Sequence, residues 1–180
     1  EPSIGGHMAQ LSRTFPTEDC SACILSPKMA DVPANENIHL MTYTEIKEID
    51  GYLGNFTVKA TRKPRYVDME KCVACGDCEE VCPVEVPDEF QEGLRKRKAI
   101  YVPFDFAVPQ ANLIDMDACV SCGSCARACK EDAINFEESP EDIEFKVDTI
   151  VVATGYDTFD PSLKPVYGYE SYENVITAME

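Results

Sequence analysis

Cys72-Val73-Ala74-Cys75-Gly76-Asp77-Cys78-Glu79-Glu80-Val81-Cys82-Pro83 returns further along the chain as Cys119-Val120-Ser121-Cys122-Gly123-Ser124-Cys125-Ala126-Arg127-Ala128-Cys129-Lys130. Both runs read C-x2-C-x2-C-x3-C, the spacing of thiolates around iron–sulfur cubes. Three thiolates two residues apart let a tight loop wrap three corners of an Fe4S4 cube, with backbone N–H groups turned toward the sulfides. The fourth cysteine leads into a short helix pointing away, so it serves the other cube. This pairing assigns Cys72, Cys75, Cys78 and Cys129 to one cluster, and Cys119, Cys122, Cys125 and Cys82 to a second. Gly76 and Gly123 hold matching positions, where the backbone must pass close to a cluster without a Cβ.

Competing chemistries fit less well. A zinc ribbon needs two separated C-x2-C pairs and has no use for a third cysteine two residues on. Eight of the ten cysteines fall between Cys72 and Cys129, whereas a disulfide framework would disperse them. The cysteine usage points to a reducing, cytoplasmic setting. One departure separates the runs: Cys82 is followed by Pro83, Cys129 by Lys130. A lysine there leaves the ligand in place and is expected to add positive charge, raising that cluster's potential relative to its twin.

Charge divides the chain. The formal net charge is -17, of which residues 1–66 carry -1, residues 67–138 carry -9 and residues 139–180 carry -7. Such an acidic chain lacks the positive face that nucleic acid or an anionic membrane requires. Its longest strongly apolar stretch, near Thr149–Ala153, is far short of a membrane span. No charged-then-apolar leader opens the sequence.

The flanks of the cysteine-rich middle read as β-rich. Ile38–Tyr43, Glu45–Ile49 and Phe56–Thr61 show strand-type patches around the turn Gly51-Tyr52-Leu53-Gly54-Asn55. Ile143–Val147 reads as a further strand and Thr149–Ala153 as a buried one ending at Thr154-Gly155. Helices are expected at Ile4–Leu11, from Ser26 to Met29 or beyond, and over Glu173–Glu180. The middle looks inserted: residues 1–63 and 140–180 form one discontinuous unit and residues 64–139 a second, within a fragment of a longer polypeptide.

Glu1-Pro2-Ser3-Ile4-Gly5-Gly6 resembles the stretch after the ribose-binding acid of a flavoprotein, and Ile150–Tyr156 resembles the Ala-Thr-Gly turn of thioredoxin-reductase-like enzymes. Gly5-Gly6-His7-Met8-Ala9-Gln10-Leu11 and Thr14–Met29, with the segment Gly93–Pro109, closely resemble the A subunit of heterodisulfide reductase. The likeness covers essentially the whole chain. It implies an α+β fold in which a two-cluster (2[4Fe-4S]) ferredoxin-like domain interrupts a thioredoxin-reductase-like FAD-binding domain, with Gly5, Gly6, Thr154 and Gly155 near the flavin. That FAD domain is incomplete, since no Gly-x-Gly-x-x-Gly phosphate loop lies in these residues. The resemblance further implies electron transfer in a cytoplasmic oxidoreductase of methanogenesis, able to split electron pairs at the flavin. Its partners would be other subunits of that type and a ferredoxin-like carrier. On the residues alone, a ferredoxin module docking to larger subunits is the second reading and a zinc-stabilised interaction domain a third.

Cys20 and Cys23 form a separate C-x-x-C. It reads as two ligands of a further cluster completed elsewhere, as a redox-active dithiol, or as two buried thiols. The basic run Arg95–Lys98 reads as a solvated face or as a docking point for an acidic electron carrier. His7 and His39 are isolated and read as structural, and no catalytic triad, paired carboxylate site or P-loop is present.

Overall fold

The computed structural model describes residues 1–180. The chain opens with the short helix α1 (Gly6–Gln10), a two-residue ladder of β1 (Arg13–Thr14) with β2 (Asp19–Cys20), and α2 (Ser21–Ala34). An antiparallel hairpin follows, β3 (Thr44–Tyr52) and β4 (Asn55–Arg62). The cysteine-rich middle holds α3 (Asp77–Glu80), β5 (Glu85–Pro87), β6 (Lys96–Lys98), β7 (Ile100–Tyr101), β8 (Leu113–Ile114) and α4 (Ser124–Ala128). The last strand is β9 (Glu141–Val147).

β9 returns to the hairpin. The sheet order is β3-β4-β9, and the register sets Arg62 opposite Glu141 at the point where the chain leaves and re-enters. The side chains of those two residues form an ion pair there. Everything from residue 63 to 140 therefore hangs from one end of a three-stranded sheet. A β-bulge between Ile46 and Glu48 adds one residue to β3. Because side chains alternate along a strand, that extra residue brings Ile46 and Ile49 to the same face. They meet Ala60 and Val58 of β4, which in turn face Ile143 and Phe145 of β9.

The inserted part has little core of its own. Its central cluster is Val67, Cys78, Ile100, Ile114, Cys125 and Ala133, with four further cysteines packed around it. Two strand contacts tie its halves: β7 pairs with β8 through Ile100 and Ile114, and Val67 bridges Ile134. Each half is thus closed by a residue of the other.

Several expectations shift. Residues 38–43 are not a strand: Tyr43 has φ 56, which breaks the extended run, and its N–H donates to the Glu1 carbonyl at 2.7 Å. α2 begins five residues before the expected Ser26 and continues through Pro27. Proline favours a first turn, which draws a sequence reading toward the later start. Thr149–Ala153 is not a strand either, with Val151 86% and Val152 78% exposed. An apolar run covered on neither face and paired with no neighbour has nothing to hold it extended. Glu173–Glu180 is not helical: the Glu180 carboxylate instead accepts from the Thr177 N–H and the Tyr169 hydroxyl. A segment that short forms helix only where packing supports it.

The hairpin supplies a direct test. Gly51 sits at φ +111, and a Cβ there would meet the Asn55 carbonyl oxygen at 2.2 Å. Gly51→Ala is expected to destabilise the protein by about 1–3 kcal/mol, read as a lower urea midpoint at unchanged slope.

Candidate metal centre

The two cysteine loops are built alike, and the backbone explains why. Ala74 and Ser121 have φ 50 and 53, and Gly76 and Gly123 have φ 86 and 68. This sequence of left-handed turns curls each loop back on itself, which aims successive N–H groups inward. The Cys72 N–H donates to the Asp68 carbonyl and the Cys119 N–H to the Asp115 carbonyl, each at 2.9 Å. The same two aspartates close the turns with their carboxylates, accepting from Glu70 N–H at 2.9 Å and Asp117 N–H at 3.1 Å. The motif spacing alone overlooks these aspartates. Their signal is present, since Val67-Asp68-Met69 and Ile114-Asp115-Met116 extend the repeat upstream of both first cysteines.

Each loop meets the last cysteine of the other arm. Cys72, Cys75, Cys78 and Cys129 line one cavity of about 180 Å³. Cys119, Cys122, Cys125 and Cys82 line another, narrower at about 20 Å³, where Ile100, Ile114, Val120 and Pro83 close in. No group of three or more His, Cys, Asp or Glu is set to hold one metal ion. Each cavity gathers three cysteines from one loop and one from the other arm. Four soft thiol donors in a mainly apolar wall fit an iron–sulfur cube.

Burial differs among the ligand candidates. Cys78 and Cys125 are buried in the shared core, whereas Cys75 and Cys122 are exposed at the rims. Burial pushes the Cys78 thiol up to about 12, and pushes Cys125 up as well. Ser124, whose hydroxyl lies 3.4 Å from its sulfur, holds Cys122 below the usual thiol range. The Ala133 N–H points at Cys129 Sγ from 3.4 Å. Behind the first cavity, Asn112 is 1% exposed and donates to Glu79 Oε1 at 2.6 Å, and that oxygen also accepts the Val102 N–H at 3.2 Å.

The remaining candidates fall elsewhere. Lys130 does not stand as an uncompensated charge: its Nζ lies 2.8 Å from Asp77 Oδ2 at the rim of the first cavity. Arg95–Lys98 divides, with Arg95 and Lys96 exposed as a solvated face and Arg97 and Lys98 drawn in. Lys96 and Lys98 both pair with Glu85, while Arg97 is 7% exposed between Glu89 and Asp115, with its guanidinium 4.1 Å from the Tyr101 ring centroid. Cys20 and Cys23 are exposed rather than buried. Cys20 caps α2, its sulfur accepting the Cys23 N–H at 3.3 Å, and the hydrogen bonds from Cys23 hold the Cys20 thiol below its ordinary range. Gly5 is required by its φ of +124 and by packing, since a Cβ would lie 3.0 Å from that of Ala9 and 3.3 Å from Met29 Sδ. Gly6, Thr154 and Gly155 are exposed, Gly6 lining a cavity of about 260 Å³ with Ser3, His7 and Phe104 that includes neither Thr154 nor Gly155. The two glycine-bearing segments do approach each other, the His7 and Tyr156 rings lying 5.3 Å apart.

The 4Fe-4S dicluster domain family matches residues 71–134. Along its whole length the chain is 62% identical to an iron–sulfur A subunit of the CoB–CoM heterodisulfide reductase of Methanopyrus kandleri, covering 27% of that protein. It is 54% identical over 179 residues to the A subunit of the H2:CoB-CoM heterodisulfide,ferredoxin reductase of Methanothermobacter marburgensis, again covering 27%. The corresponding iron–sulfur protein of Methanocaldococcus jannaschii is 56% identical over 180 residues. The chain thus spans about a quarter of the length of these relatives. No helix is long and apolar enough to cross a membrane.

Asn112→Ala removes the partner of a carboxylate beside the first cavity. Loss of about 1–3 kcal/mol in unfolding free energy is expected from the lost charge-assisted hydrogen bond, Glu79 Oε1 keeping only the Val102 N–H, measured by denaturant titration of the iron-loaded protein.

Proposed function

We propose, from the premise that this chain is a segment of the heterodisulfide reductase A-type family carrying its 4Fe-4S dicluster domain, that residues 64–139 carry single electrons through two cubes. Residues 1–63 and 140–180 form the flanking part of a flavin-bearing domain. The observation that carries this reading is the crossing of ligands, with each three-cysteine loop facing the fourth cysteine of the other arm. Each cube, when bound, accepts and releases one electron without making or breaking a bond.

The chain's own residues define the middle and the two ends of the path. Cys78 and Cys125 sit in the same buried cluster between the cavities, so the inner corners are screened from water and near each other through α3 and α4. Cys75 and Cys122 are exposed, and so are their neighbours Val73 and Val120 at 66% and 64%. These rims are the edges where a carrier or a neighbouring protein exchanges electrons. The ligand assignment is Cys72, Cys75, Cys78 and Cys129 for one cube, and Cys119, Cys122, Cys125 and Cys82 for the other.

The same reading takes in the flanks. The names of the relatives include a heterodisulfide and a ferredoxin as the couples of the complete enzyme, and the proposed partners are the other subunits of such a complex and a ferredoxin-like carrier. The flavin is proposed to lie where the Gly5-Gly6 and Thr154-Gly155 segments approach, completed by residues outside this chain. Cys20 and Cys23, exposed and lining neither of the two cavities, are proposed as two ligands of a further cluster shared with such residues.

Two measurements on the full-length protein test this. Cys72→Ser and Cys129→Ser are expected to perturb one and the same EPR centre, while Cys119→Ser and Cys82→Ser perturb the other. Cys72 and Cys82 changing the same centre would reject the crossed assignment. Cys20→Ser with Cys23→Ser is expected to lower iron content by one cluster, and unchanged iron would reject their role as ligands.

A further inference from the structure

Asn112 immediately precedes β8 and lines the first cavity but not the second. It is 1% exposed. Of the other polar side chains in that wall, Lys130 and Glu131 are exposed, and Asp77 pairs with Lys130 at 2.8 Å. Asn112 is therefore the enclosed polar group of the first cavity. Its Oδ1 lies 3.7 Å from Cys72 Sγ, while its Nδ2 donates to Glu79 Oε1 at 2.6 Å. The second contact fixes the direction of the amide. Glu79 Oε1 also accepts the Val102 N–H at 3.2 Å, so it is an acceptor toward both neighbours. Inverting the amide would set one acceptor against another, so the nitrogen faces the carboxylate and the oxygen faces the sulfur.

The repeat puts different chemistry at the matching positions of the second set. Ala126 stands where Glu79 does, Ser124 where Asp77 does, and Arg65 where Asn112 does. Arg65 lines neither cavity and turns its Nη1 to the Pro2 carbonyl at 2.8 Å. The enclosed Arg97 also lines neither cavity and is met by Glu89 and Asp115. Beyond its cysteines, the second cavity's wall holds no polar side chain. Ser124 Oγ accepts from Arg127 Nη2 at 3.1 Å, which leaves its hydroxyl hydrogen for Cys122 Sγ, 3.4 Å away. The backbone treats the two sets alike, with the Ala133 N–H pointing at Cys129 Sγ and the Ser121 N–H at Cys119 Sγ, each from 3.4 Å. The side chains make the difference. An amide oxygen faces a sulfur of the first set, and a hydroxyl donor faces a sulfur of the second.

We propose that Asn112, held by Glu79, is a positioning residue that lowers the reduction potential of the cube on Cys72, Cys75, Cys78 and Cys129 below that of its twin. The inference rests on the two-cube reading. While Cys72 keeps its proton, the thiol donates to Asn112 Oδ1. Once its sulfur binds iron that proton is gone, and the negative end of a buried dipole faces the ligand with no hydrogen between them. Reduction adds one negative charge to a cube, which such a dipole disfavours and a donor to sulfur favours. Salt screens the dipole little, because it lies away from solvent. The order is the reverse of the one that Lys130 alone suggests. One electron then leaves this cube, which is oxidised, and arrives at its twin, which is reduced; no bond changes and no proton moves.

The test is a redox titration of the full-length protein followed by EPR. Cys75→Ser identifies the signal of the first cube, and in the wild type that centre is expected to reduce at the lower potential. Asn112→Leu keeps most of the side-chain volume and removes the dipole. It is expected to shift that centre's reduction equilibrium at least threefold toward the reduced form, about 28 mV at 59 mV per tenfold for a one-electron couple, and to leave the other centre in place. A first cube that is the higher of the two in the wild type would overturn the proposal. So would a variant that moves both centres together, moves the first toward the oxidised form, or moves it by less than threefold. The wild-type order decides even where the variant fails to hold iron. Absence of two Fe4S4 signals in the wild type would instead overturn the two-cube reading beneath it.

Discussion

Cys82 and Cys129 each leave the loop they follow and arrive at the other loop's cavity, and the inserted region depends on that exchange. A region of about 75 residues seldom gathers enough apolar surface to stabilise itself by more than a few kcal/mol. Here two of its six core residues are cysteines, and four more pack around them. The strand contacts repeat the exchange, with Val67 of the first half on Ile134 of the second and Ile114 of the second on Ile100 of the first. Neither half has a closed core or a complete ligand set without its partner. Loading the metal and folding the region are then one process, in which the buried thiols must give up their protons. Cys78, pushed up to about 12 by burial, would resist that without a cation to receive its sulfur.

The sheet carries the second dependence. Its central strand is β4, and the chain departs from the end of β4 and returns at the start of β9. The inserted region is thereby anchored at both ends to adjacent, hydrogen-bonded strands, which restricts how far it can swing from the flanks. Arg65 reinforces the anchor from within, its Nη1 holding the carbonyl of Pro2 across the junction. A single side chain thus ties the start of the chain to the entrance of the cysteine region.

What the sequence made legible followed from covalent or strictly local rules. Cysteine spacing is fixed by the size of a cube, so the two loops and their crossing could be read without coordinates. The hairpin was legible because Gly51 and Gly54 punctuate it, and β9 because Ile143, Phe145 and Val147 alternate. What failed depended on partners distant in sequence. Thr149–Ala153 has a strand's composition but finds no strand to pair with among these residues. The charge of Lys130 looked free until Asp77, from the opposite arm, was seen to meet it. Arg97 looked like part of a surface run, yet it is enclosed by Glu89, Asp115 and Tyr101. Arg65 was invisible for the same reason, since an arginine after a strand carries no mark of its burial.

The electrostatics of the region then read in two layers. The formal charge of -17 is spread mostly over exposed carboxylates, and beyond a Debye length of about 8–10 Å these are screened from the cavities. They lower both potentials weakly and together, which keeps electrons energetic but does not order the two sites. Ordering needs a charge that is close to one cavity, fixed and unscreened. The cations in the cysteine motifs do not meet that requirement, being exposed and paired. Arg65 and Arg97 are both enclosed and both lie outside the cysteine motifs, so a charge that orders the two sites belongs to the framework around the cysteine loops rather than to the loops themselves.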